Sequence, residues 1–95
     1  MDALHDGDIY EYDAHNLFGH MQSIATRKAL ESSRGKRSFI ITRSTFPGTG
    51  QHAGHWTGDN HATWEDMWLS ISAILNFNLY QIPLVGADIC GFHND

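Results

Sequence analysis

The chain has 95 residues, and six Lys and Arg against eleven Asp and Glu leave a formal net charge of −5 with His neutral. That length holds one domain at most, and the acidic balance argues against a nucleic-acid binder, which needs a basic face to neutralise phosphates. Hydrophobic residues at 41% and charged residues at 18% describe a globular composition. No apolar run approaches the ~20 residues of a membrane span, no signal-peptide pattern is visible, and a single cysteine, Cys90, excludes an internal disulfide framework and an all-cysteine zinc site.

Residues 1–12 have no helical period and read as an extended or loop lead-in. From Asp13, a candidate cap, Leu17, Met21, Ile24, Ala25 and Leu30 recur at helical spacing, and Gly35 supplies a stop. A helix is therefore expected near residues 14–33. Phe39, Ile40 and Ile41 form a short apolar run rich in β-branched residues, which fits a buried parallel strand over 38–43. The stretch FPGTGQHAGHWTGDNHA is dense in Gly and His and reads as a long loop without regular structure; loops of that length in compact domains are usually functional. Thr63 caps a second helix with Glu65 and Asp66 in its first turn, and Trp64, Trp68, Ile71, Ile74, Leu75 and Leu79 give it an apolar face. The two tryptophans are read as core. Pro83 ends that segment, and LVGADICGF reads as a second buried strand. A strand, a crossover helix and a second strand make a right-handed parallel unit. The fold expected is α/β, with about two parallel strands and two helices.

Ligands in parallel α/β folds bind at the carboxyl ends of the strands. Arg43 follows the first strand, Asp88 lies at or near the end of the second, and the loop carrying Trp56 and Asp59 leaves the same edge. An acidic pair, a fixed cation and a large aromatic surface suit a carbohydrate site, where carboxylates do acid/base work and aromatics stack on C–H faces. A strand-end Asp is also a common cap or salt-bridge partner, and Arg43 alone is also consistent with a structural ion pair. His52, His55 and His61 share the loop with Asp59, but their irregular spacing and the absence of an HExxH or paired-cysteine signature favour local packing and hydrogen bonding over a metal site. The loop glycines lack the Gly-Lys-Ser/Thr ending of a phosphate cradle.

The strings ITRSTFPGTGQHAGHWTGDN, TWEDMWLSISAILNFNL and IPLVGADICGF, in this order, closely resemble glycoside hydrolase family 31, the family of acid α-glucosidase, maltase-glucoamylase and sucrase-isomaltase. The upstream EYDAHNLFGHMQSIATRKAL is similar to the helical segment before these motifs, so the resemblance runs from about Tyr10 to Phe92. It implies a partial (β/α)8 TIM barrel and a retaining, exo-acting hydrolase of terminal α-linked glucose on oligo- or polysaccharides, with no cofactor and no metal. By resemblance Asp59 falls on the general acid/base, Arg43 and Asp88 on residues that contact the sugar in the first subsite, and Trp56 and Phe92 on aromatic positions lining the pocket. His15 and Asn16 match a recurrent HNL motif taken as structural support.

The family's nucleophilic aspartate belongs to a tryptophan-rich motif that residues 1–12 do not match, and a complete barrel needs about 250 residues. The whole of residues 1–95 is thus expected to be a fragment of a catalytic barrel, inactive alone, with the remainder of the barrel as its partner. A catalytically inactive carbohydrate-binding fragment, or a parent with α-xylosidase or lyase specificity, are the alternatives. The resemblance points to a secreted, lysosomal or ER-lumenal parent.

Overall fold

A computed structural model describes residues 2–94. The lead-in forms a small antiparallel hairpin, β1 (Leu4–His5) with β2 (Ile9–Tyr10), rather than a plain extended segment. Gly7 and Asp8 at its tip both take positive φ, which permits the reversal within so short a turn.

The first helix differs from its expected start. A single turn, α1 (Glu11–Ala14), leads through a 3-10 turn at His15–Leu17 into α2 (Phe18–Arg34). Asp13 lies inside α1 and caps nothing; Tyr10 and Leu17 precede the two helices without side-chain caps. The stop is where the sequence put it, with Gly35 left-handed at φ 61° and its N–H donating to the Glu31 carbonyl. Gly19 lets α2 approach the following loop closely, since a Cβ there would stand 2.5 Å from that of Ser44.

The main correction concerns residues 46–62. They are not an irregular loop but contain a 3-10 turn, Thr49–Gln51, and a strand, β4 (Gly54–Trp56). The sheet therefore has three parallel strands in the order β3 (Ile41–Thr42), β4, β5 (Val85–Gly86). Thr42 pairs with His55, and Trp56 with Gly86. The expected strands at 38–43 and around 83–88 exist but are shorter and are not neighbours. The helical crossover joins β4 to β5 through α3 (Trp64–Leu79), whose start matches the expectation: the Thr63 side chain accepts from the Asp66 N–H at 3.1 Å. β3 reaches β4 without a helix.

The link between β3 and β4 is held by one hydroxyl. Thr49 is fully enclosed; its Oγ1–H donates to the Phe46 carbonyl at 2.7 Å, and the oxygen accepts from the Phe46 N–H at 2.9 Å. His20 Nδ1 approaches the same oxygen at 2.8 Å. Beside this knot the 3-10 turn packs directly on the chain at Gln81 and Ile82, with Gly48 N–H donating to the Tyr80 carbonyl at 2.9 Å.

The apolar core is small. Only Ala53 and Ile82 are buried hydrophobic residues among those described, while Trp64 is 83% and Trp68 65% exposed. The reading of these tryptophans as core is not met: nothing among the described residues covers that face of α3, along which Ile71, Leu75 and Leu79 are also exposed. The accessible surface of 7335 Å² exceeds the roughly 5,500 Å² of a compact monomer of this mass. The radius of gyration, 15.7 Å, likewise exceeds about 12 Å for a closed domain of this length. Ile41 and Leu84 at the two outer strands are half-open as well.

Candidate active site

The sheet has two faces, and the side chain of His55 says which is which. Its ring stacks on Phe77 of α3 at 4.1 Å between centroids, so His55 points into the helical layer. Side chains alternate along a strand, so Gly54 and Trp56 belong to the opposite face. Gly54 is where the outer strands crowd in: a Cβ there would meet Leu84 at 2.8 Å and Ile41 at 2.9 Å. Trp56, one pleat on, is half-buried at the carboxyl end of β4. His55 Nδ1 lies 2.9 Å from the Thr42 carbonyl and, facing an acceptor, donates to it; this ties down the backbone just before Arg43.

Arg43 is the first residue after β3, Asp59 the third after β4, and Asp88 the second after β5. All three leave the carboxyl ends of adjacent parallel strands, and Trp56 terminates the central one. Arg43 reaches the segment that carries Asp59 at Gly58, the residue just before it. Gly58 is buried at φ 87°, and a Cβ on it would stand 2.6–2.9 Å from Nε, Nη2 and Cζ of the Arg43 guanidinium. The planar cation therefore lies against the bare Cα next to Asp59.

The segments carrying Asp59 and Asp88 are laced together. Asn60 Nδ2 donates to the Asp88 carbonyl at 3.3 Å, and the Asn60 carbonyl accepts from the N–H groups of Phe92 and His93 at 2.8 and 3.0 Å. The Ala62 N–H returns a bond to the His93 carbonyl at 2.8 Å. Gly91, at positive φ, is pressed against Ala62, where a Cβ would meet backbone at 2.5 Å. Phe92 is thus fixed by its backbone while its ring stands 63% exposed. Among the described residues the side chains of Arg43, Asp59 and Asp88 form no ion pair with one another, and Asp59 is exposed. A cavity of about 720 Å³ between the start of α3 and the turn after β5 takes in Asn60, Trp64 and Asp88 but not Arg43, Trp56, Asp59 or Phe92.

The histidines have structural occupations. His55 is buried and stacked, His52 meets the His20 ring edge-on at 5.8 Å, and His61 lies against His93 at 5.1 Å. Among the described residues no three His, Cys, Asp or Glu side chains are grouped to share an ion. Glu11, which lines a cavity with Ser44 and Thr45 just past Arg43, is hydrogen-bonded by both His15 and His5, which hold its carboxyl below the ordinary value.

Two signals could have exposed what sequence reading missed. A carboxylate at the edge of a parallel sheet should follow a strand of its own, so Asp59 called for a strand ending near Trp56. Gly-His-Trp hides it because only Trp has marked strand preference. Gly58 could be noticed only as one of several glycines in the stretch.

A barrel wall of this kind is what the comparisons return. The family model described as the glycosyl hydrolases family 31 TIM-barrel domain matches residues 1–95. A probable alpha-glucosidase of Oryza sativa subsp. japonica is 56% identical over 90 residues, covering 95% of this chain and 10% of the relative. Alpha-xylosidase 1 of Arabidopsis thaliana is 53% identical over 91 residues, covering 96% of this chain and 10% of the relative. A crystal structure of the ER glucosidase II heterodimeric complex, consisting of the catalytic subunit and the binding domain of the regulatory subunit, superposes with a TM-score of 0.86 at 37% identity, over 93% of this chain and 10% of that one. The chain belongs to glycoside hydrolase family 31. It spans about a tenth of the length of the relatives it matches.

Proposed function

We propose that these residues form one wall of the catalytic barrel of a retaining α-glucosidase, with residues 1–95 lying wholly inside that domain. The observation that supports the reading is the position of Arg43, Trp56, Asp59 and Asp88 at or just past the carboxyl ends of three adjacent parallel strands. In this reading Asp59 is the general acid/base. It protonates the glycosidic oxygen while a carboxylate from the remainder of the barrel attacks the anomeric carbon, and it then takes a proton from the incoming water. Arg43 and Asp88 hold sugar hydroxyls in the first subsite, and Trp56 and Phe92 shape its apolar wall. The substrate is a terminal α-linked glucoside of an oligo- or polysaccharide, and the endoplasmic reticulum named in the matched structure supports a lumenal or secreted parent.

The test is Asp59→Asn in the complete enzyme, assayed on substrates with poor and with activated leaving groups. Loss of the acid should cost about 10²–10⁴-fold where the leaving group needs a proton. In kcat/KM, which reports the first step, it should cost much less for the α-glucosyl fluoride, whose departure needs none; the loss of the base slows the second step for both substrates alike. Equal loss of kcat/KM on both substrates contradicts the acid assignment. A second specificity has its own support, since identity to the alpha-xylosidase is nearly that to the probable alpha-glucosidase. Hydrolysis of a chromogenic α-xyloside faster than the α-glucoside would establish it.

A further inference from the structure

We propose that Gly58 is the positioning residue of this site, its bare Cα being the seat on which the Arg43 guanidinium rests, so that it sets how closely that cation approaches the segment carrying Asp59. The inference rests on the reading of Asp59 and Arg43 just given. Three features carry it. Gly58 is buried at φ 87°, a conformation that L side chains rarely adopt. The atoms nearest the space its missing side chain leaves are Nε, Nη2 and Cζ of Arg43, all within 3 Å of the position a Cβ would take. The start of Arg43 is fixed independently, because His55 holds the Thr42 carbonyl. With the root of the side chain anchored and its far end lodged on the residue beside Asp59, the bare Cα of Gly58 sets how closely the guanidinium approaches that segment. A methyl group there pushes the guanidinium away and leaves the rest of the sheet unchanged.

Backbone strain and displacement of the cation are separated by a control glycine. Gly48 has nearly the same φ, 91°, but a Cβ on it would find only Gln51 Nε2, at 3.9 Å. Gly48→Ala therefore imposes comparable strain without touching Arg43. In the complete enzyme, kcat/KM on 4-nitrophenyl α-glucoside should fall by on the order of 10²-fold for Gly58→Ala and by far less for Gly48→Ala. With Arg43→Ala already in place, Gly58→Ala should add no more than Gly48→Ala does, because nothing is left to displace. A loss for Gly58→Ala equal to that for Gly48→Ala, or undiminished in the Arg43→Ala background, overturns the proposal. If Gly58→Ala does not fold, the double variant with Arg43→Ala should recover a cooperative melt; failure of both assigns the effect to backbone strain and also overturns it. Should Arg43→Ala and Asp59→Asn each keep wild-type turnover, the site reading itself has failed, whatever Gly58 does.

Discussion

Around β4 the chain closes on itself: Gly54, His55 and Gly58 are buried, and Thr49 has no accessible surface. A few residues later, on α3, Trp64 and Trp68 lie open, followed along the helix by Ile71, Leu75 and Leu79. Both stretches are rich in aromatic or apolar groups, so hydrophobicity does not explain the contrast. The difference lies in which neighbours these residues supply. β4 has a paired strand on each side and a helix behind it, whereas the outer face of α3 has no facing element among the described residues. Apolar surface on this scale does not persist on soluble monomers. The chain spans about a tenth of the length of relatives in a family whose matching domain is a barrel. Gly58, against which the Arg43 guanidinium rests, lies at the closed end.

Three substitutions sharpen that contrast in the complete protein. Gly54→Val should be the most costly for stability, about 1–3 kcal/mol. Its side chain would enter the space that Ile41 and Leu84 already occupy, and a drop in thermal midpoint measures the loss. An unchanged midpoint would mean the outer strands are not held against β4. Thr63→Ala removes the side-chain cap of α3 and should cost about 1 kcal/mol, read in the same melt.

The smallest effect is expected at Glu11. Its folded carboxyl titrates below the ordinary value because His15 and His5 hydrogen-bond it. The stabilisation is therefore present above the ordinary carboxylate range and disappears as pH falls through the depressed folded value. A Glu11→Gln variant should melt slightly below wild type at neutral pH, and the gap should close on acidification. A gap that widens in acid would contradict the sign.

Helix α3, the stop at Gly35 and the strand ends at Arg43 and Asp88 were legible because each has a local signature: a capping threonine, a left-handed glycine, a β-branched run ending in charge. Strand β4 was not, because it is three residues long and begins Gly-His; it is a strand by virtue of its two partners rather than its own preferences. The tryptophans of α3 were read correctly as one apolar face, but the sequence pattern carries no information on what lies opposite. The seat at Gly58 depends on a contact across 15 residues to Arg43 and on a positive φ, neither of which residue type reveals.

The most direct test of the account is the behaviour of the 95 residues expressed alone. If the open flank and the missing carboxylate both belong to the remainder of a barrel, the isolated chain should bind a dye for exposed apolar surface and show no cooperative thermal transition. It should also leave 4-nitrophenyl α-glucoside unhydrolysed. A sharp, reversible melt of a soluble monomer, with turnover that Asp59→Asn abolishes, would contradict it and make these residues a self-sufficient domain.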